Sequence, residues 1–223
     1  MANSPPSRRI RQLAAAGCVG LLGVAAAAQS PRANEKIVMD AIPVVVNYRD
    51  NTAVFRDVVI TQGDCSASCT RIEASEANVK GGLDFDNGEW TFSGNVGIRA
   101  EGGNLTADKA VVWFRNKLIS RATITGTPAK FEQLRKDGAT SRGRAPVIDY
   151  ETSSGTVSFR DDAWLSDGCN EITGNQLVYN IKQQSVQGQA AGSAAPAGNG
   201  RVRIVIQPGS QQGKPCNAPG SKQ

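Results

Sequence analysis

Three segments of this chain follow one pattern: a strand-like stretch opening on Phe, a turn, and a second strand-like stretch. Such internal repetition restricts the fold more than any other feature here. Phe55-Arg-Asp-Val-Val-Ile-Thr leads to Ile72-Glu-Ala-Ser, Phe92-Ser-Gly-Asn-Val-Gly-Ile to Leu105-Thr-Ala-Asp, and Phe159-Arg-Asp-Asp-Ala-Trp-Leu to Ile172-Thr-Gly-Asn. A divergent fourth unit runs from Ile124 through Phe131 to Ile148-Asp-Tyr150. Units of this kind stack so that each continues the buried face of the one before.

Successive side chains of a strand point to opposite sides, so each unit has a readable register. Phe92, Gly94, Val96, Ile98 and Ala100 share one face, opposite Ser93, Asn95 and Arg99. In the third unit Phe159, Ala163 and Leu165 oppose Arg160 and Asp162, and in the first Phe55 and Val59 share a face. The second strands place Ile72, Leu105 with Ala107, and Ile172 at matching positions. Strands are expected at 44–48, 54–61, 90–100, 110–114, 157–159, 176–181 and 201–206, and helical periodicity is nearly absent. The class is all-β, and amphipathic sheets of this kind bury their apolar faces against each other as a sandwich or jelly roll. The Ala- and Gly-rich stretch 187–200 reads as a loose connection before the last strand.

At the start, Arg8, Arg9 and Arg11 precede an apolar run from 13 to 28 that ends in Ala26-Ala27-Ala28. That order predicts a secretory signal peptide cleaved after Ala28. The run is shorter than the roughly 20 apolar residues that span a bilayer. Cleavage takes three arginines and no acid off a net charge of +5, leaving +2. With no dense basic stripe left, nucleic acid is not an expected partner.

Four cysteines remain in an exported chain, Cys65, Cys69, Cys169 and Cys216. They read as two disulfides with three possible connectivities, of which Cys65 with Cys69 and Cys169 with Cys216 are favoured. The chain has no His, which removes His-dependent nucleophile pairs and His-based zinc sites. Asp161 and Asp162 cannot flank one bond as a carboxylate pair, since adjacent strand residues face apart. The expectation is therefore no enzyme, no metal and no cofactor.

The collinear segments Thr91-Phe-Ser-Gly-Asn-Val, Leu105-Thr-Ala-Asp-Lys-Ala-Val-Val, Gly126-Thr-Pro-Ala-Lys-Phe-Glu-Gln, Gly143-Arg-Ala-Pro-Val-Ile-Asp-Tyr, Ile172-Thr-Gly-Asn-Gln-Leu-Val-Tyr and Arg201-Val-Arg-Ile-Val-Ile-Gln-Pro extend over about residues 36–208. In these the chain resembles the OstA-like / LptA family of periplasmic lipopolysaccharide-transport bridge proteins. The resemblance implies an incomplete twisted β-jelly roll of two stacked antiparallel sheets over 29–208, with a flexible tail at 209–223. It also implies binding of the lipid A part of lipopolysaccharide, and head-to-tail self-association between an LptC-like inner-membrane partner and an LptD-like outer-membrane partner. Phe131 and Tyr150 match family positions associated with lipid contact. Other candidates for lining a lipid trough are Ile148, Phe92, Val96, Ile98, Leu105, Phe159 and Leu165, with Ile37 and Met39 near its entrance.

A single acyl chain of roughly a dozen methylenes needs about 10 kcal/mol of shelter from water, which calls for a long apolar face. The plain alternative for each of these residues is core packing. The end strands, near 37–40 and 201–206, would be the self-association edges unless the tail caps the second one. Lys130, Arg142 and Arg144 read as solvated charges rather than phosphate ligands. Three other identities share some of these features. An LptC-type inner-membrane-associated transfer subunit would keep a membrane helix, and an LptD amino-terminal fragment would lead into barrel strands. A secreted β-solenoid binding or adhesion module would show aromatics outside, and three Trp and three Tyr are few for that.

Overall fold

The computed structural model describes residues 35–188 and 201–206, apart from 67, 82, 84, 101 and 136. The expected leader at 1–28, most of the loose connection, and the tail with Cys216 lie outside the described residues. Eleven strands follow in order: β1 (Ile37–Asn47), β2 (Thr52–Asp64), β3 (Ser68–Lys80), β4 (Glu89–Ala100), β5 (Gly103–Arg115), β6 (Leu118–Leu134), β7 (Thr140–Glu151), β8 (Thr156–Ser166), β9 (Glu171–Asn180), β10 (Ser185–Gly188) and β11 (Arg203–Val205). All the expected strand segments fall on these, except that Tyr48 lies just past β1, Ile181 just past β9, and the last strand is shorter than 201–206.

Neighbours in sequence pair antiparallel from β1 to β10, and β11 joins the edge of β9. The described residues thus form one continuous sheet, and its two layers are the two halves of the long strands β2 to β9. Register breaks near the middle of each pair from β3/β4 to β8/β9, for example between Ser93 and Val96 against β5 and between Arg160 and Ala163 against β9. Breaks of this sort bend a strand and re-aim its side chains.

The repeated motif is the sequence form of this crease. Phe55, Phe92 and Phe159 are each the last buried residue before the bend, and positive φ angles follow at Asp57, at Gly94 with Asn95, and at Asp161 with Asp162. Asn, Asp and Gly are the residues that take this left-handed conformation at least cost. Asp161 and Asp162 are accordingly exposed bend residues.

The crease shifts the alternation. In β2 it carries Val58 and Ile60 inward after Phe55 and turns Val59 outward, so the expected sharing of a face by Phe55 and Val59 does not occur. Such a shift leaves one inward face unbroken across the bend, which simple alternation could not do.

The disulfide Cys65–Cys69 closes the β2–β3 hairpin, as favoured from the sequence. Cys169 is disulfide-bonded as well, and its expected partner Cys216 lies outside the described residues. Cys169 sits in the β8–β9 turn, which Asp167 organises by accepting hydrogen bonds from the backbone N–H of Cys169 (2.8 Å) and of Asn170 (2.6 Å). Burial pushes the Asp167 carboxyl up, but these bonds, the Asn170 amide and the nearby Arg135 outweigh it and hold the group below its ordinary range.

Candidate functional site

The inward side chains form two ladders, one on each side of the crease. The first runs across the sheet through Phe55, Ala77, Phe92, Ala110, Ile124, Ile148, Phe159 and Leu177, each the register partner of the next. The second runs through Ile60, Ile72, Ile98, Leu105, Phe131, Gly143, Leu165 and Ile172 in the same manner. All of these but Ile172 are buried, and Ile172 packs against the core from a half-buried position.

Contacts across the crease show that the ladders face each other. Phe131 of the second meets Phe159 of the first edge-to-face, with ring centroids 5.9 Å apart, and lies 6.0 Å from Tyr179. Gly143 leaves the space that Phe159 fills, since a Cβ there would stand 2.5 Å from the ring's Cζ. The two halves therefore enclose an apolar cleft whose floor is the crease and whose mouth lies between the hairpin turns. From β4 to β9 this mouth is closed: the Tyr179 hydroxyl donates to Gln133 Oε1 at 2.8 Å and lies 3.4 Å from Ser141 Oγ. Gly102, in the β4–β5 turn, approaches Tyr150 and Ile181 so closely that a Cβ would stand 2.8 Å from Ile181 Cδ1.

Of the sequence-derived candidates, Phe92, Ile148, Tyr150 and Phe159 lie on the first layer and Val96, Ile98, Leu105, Phe131 and Leu165 on the second, all buried. Ile37 and Met39 are half-buried on β1, where they pack against the end of the core. The structure thus brings every candidate onto one surface. Tyr179 and Leu177 belong to it and were not singled out, although their spacing of two in the strand expected at 176–181 marks them as a pair on one face. Trp90, packed with Phe85 and Phe114 in an aromatic cluster, is a second omission.

The outer surface carries the charges. Arg142 pairs with Glu132 at 3.1 Å, and Arg144 lies over the Trp164 ring at 4.6 Å, while Lys130 is exposed. None of the three stands in the cleft, in keeping with the reading of these residues as solvated charges. Among the described residues no group of His, Cys, Asp and Glu could hold a metal ion.

The two ends of the sheet differ from its middle. Among the described residues β1 bonds to β2 alone, and it exposes Ile42 (57 %) and Val45 (55 %). At the far end β10 covers residues 177–180 of β9 and β11 covers 171–173, while Ile204 (56 %) and Ile206 (71 %) face solvent. Val202 lodges against Gly174 and Gly188, where the absence of a Cβ lets the last segment approach.

Comparison with known proteins gives a consistent picture. The LptA/(LptD N-terminal domain) LPS transport protein family matches residues 71–185. The lipopolysaccharide export system protein LptA of Escherichia coli K12 is 29 % identical over 134 residues, which cover 59 % of this chain and 69 % of that protein. The Haemophilus influenzae protein of the same name is 26 % identical over 126 residues, covering 55 % and 69 %. Among solved structures, Pseudomonas aeruginosa LptH, the LptA-homologous periplasmic component of a conserved lipopolysaccharide transport device, superposes with a TM-score of 0.53 at 26 % identity. The match takes in 62 % of this chain and 95 % of that one.

Proposed function

The chain belongs to the LptA/(LptD N-terminal domain) family of LPS transport proteins, a family of carriers rather than enzymes, and from that membership we propose that it carries lipopolysaccharide through the periplasm with the lipid A acyl chains held between its two layers. The observation that carries this reading is the pair of facing apolar ladders. A single core needs no such uniform length, whereas several acyl chains do, because each buried methylene contributes about 0.8 kcal/mol and water must be excluded along the whole chain. Phe131, Tyr150 and Ile148, with Phe92, Val96, Ile98, Leu105, Phe159 and Leu165, are the side chains on which the acyl chains would lie. Ile37 and Met39 would receive them at the end where the core is only half covered.

Since these side chains now pack on one another, uptake requires the layers to part and exchanges side-chain contacts for contacts with the ligand. A photo-reactive residue at Phe131 in cells is expected to give a lipopolysaccharide adduct, while one at Lys109, on the outer face, is not. Equal yields at the two positions would remove the cleft from consideration.

The free edge of β1 and the short strands at the far end suit head-to-tail pairing, in which β1 of one copy, or the edge of an LptC-like or LptD-like partner, continues the sheet of the next. A bond between Cys169 and Cys216, if it drew the tail over the second edge, would compete with that role. Light scattering is expected to report mass that rises with protein concentration, and to stay at the monomer value when Ile42 and Val45 are both changed to Lys; a wild-type chain that remains monomeric throughout would refute the pairing. Export by a leader cleaved after Ala28, with a single domain over 29–208, completes the reading.

A further inference from the structure

A polar cluster stands at the mouth of the apolar cleft. Gln133 and Ser141 are register partners near the ends of β6 and β7, on the inward side of the second layer. Tyr179, near the end of β9, reaches them from the first layer. Ser141 and Tyr179 are almost wholly buried, and among the described residues only Gln62 accompanies Ser141 as a buried polar or charged side chain.

Stability does not call for these groups. Replacing a buried hydrogen-bonded pair by apolar groups of the same shape is close to neutral, whereas separating the partners without new ones costs each its desolvation. The cluster therefore makes opening of the mouth unfavourable unless something else satisfies it. Two hydroxyls and a primary amide offer both donors and acceptors. With chains directed to the crease, the atoms that reach the mouth are those joining chain to headgroup. In an acyl ester or amide these include a carbonyl oxygen, which accepts from O–H or N–H; in an alkyl ether no carbonyl exists.

We propose that Tyr179, Gln133 and Ser141 form a hydrogen-bonding subsite that recognises the carbonyl-bearing linkages of an acylated lipid, and that the same three side chains latch the mouth while it is closed. This rests on the reading of the cleft as an acyl-chain site. It adds a selection that apolar walls cannot make, because two lipids with the same chains present the same apolar surface to them. The Tyr179 hydroxyl moves from Gln133 to a ligand carbonyl as the layers part, so closing and recognising use the same hydrogen bond.

The test compares pyrene-labelled phosphatidic acid carrying two ester-linked chains with its counterpart carrying two ether-linked chains, titrated into the purified full chain. Wild-type protein is expected to bind the diester about tenfold more tightly, the scale of one well-made hydrogen bond. Tyr179→Phe is expected to bring that ratio close to one while leaving diether binding equal or tighter. Tyr48→Phe, on an exposed turn, is expected to keep the wild-type ratio. Should Tyr179→Phe fail to fold, as judged by its thermal transition, Tyr179→Met removes the same hydroxyl with an unbranched side chain that repacks more freely. An unchanged ratio in the variant, or no preference in the wild type, overturns the subsite while the acyl-chain reading stands. Wild-type protein that binds neither lipid overturns both.

Discussion

Phe159→Ala is expected to lower the unfolding free energy by about 3–5 kcal/mol, the range for removing a buried aromatic side chain and leaving its cavity. Phe159 is fully buried and sits where the two layers meet: it packs edge-to-face on Phe131 across the cleft and has Ile148 and Leu177 as register partners on either side. Truncation removes contacts within one layer and between the layers together, and the creased backbone has little freedom to collapse into the gap. For a domain of this size each kcal/mol shifts the midpoint by about 2–4 °C, so a thermal scan should show a drop on the order of 10 °C. Lys109→Ala, on the exposed face, should stay within about 0.5 kcal/mol of wild type. Chemical denaturation of both variants checks the contrast, and equal small effects would mean that Phe159 is not a keystone between the layers.

Gly143→Val tests the same contact from the opposite side. Gly143 sits squarely against a ring: a Cβ there would lie 2.5 Å from Phe159 Cζ and 3.1 Å from Leu165 Cδ1. Overfilling a close-packed core costs about 1–3 kcal/mol, and a branched side chain against a fully buried ring belongs at the upper end. The backbone of Gly143 does not have a positive φ, so strain of conformation plays no part. Combining Gly143→Ala with Phe159→Leu should therefore restore stability relative to the sum of the two single changes, with a coupling of about 1 kcal/mol or more. Strict additivity in that cycle would show that the two layers do not meet at this point.

Particular residues mark where the sequence could be read and where it could not. The alternation around Phe92, Val96 and Ile98, and around Phe159, Ala163 and Leu165, identified inward side chains correctly, because the first one after the crease lies four positions beyond the last one before it. Around Phe55 the same reasoning misassigned Val59, because there the separation is three and parity changes. The Phe-x-Asp and Phe-x-Gly-Asn motifs were visible as repeats, yet their meaning as bends appears only when the positive φ angles at Asp57, Asn95 and Asp161 are seen together. The Cys65–Cys69 bond was legible because its partners are four residues apart.

The sequence by itself determined the all-β class, the face on which most candidate residues lie, the removal of His-dependent chemistry and the local disulfide, since each of these depends on residue type or on neighbours within a few positions. Only the tertiary structure decided that a single sheet is creased into both layers, that Phe131 meets Phe159, and that Tyr179 closes the mouth on Gln133, 46 residues away in the chain. The reason is physical: a strand's alternation follows from its own backbone geometry, whereas the meeting of two layers depends on how every crease in the sheet lines up with the next, which no stretch of sequence encodes alone.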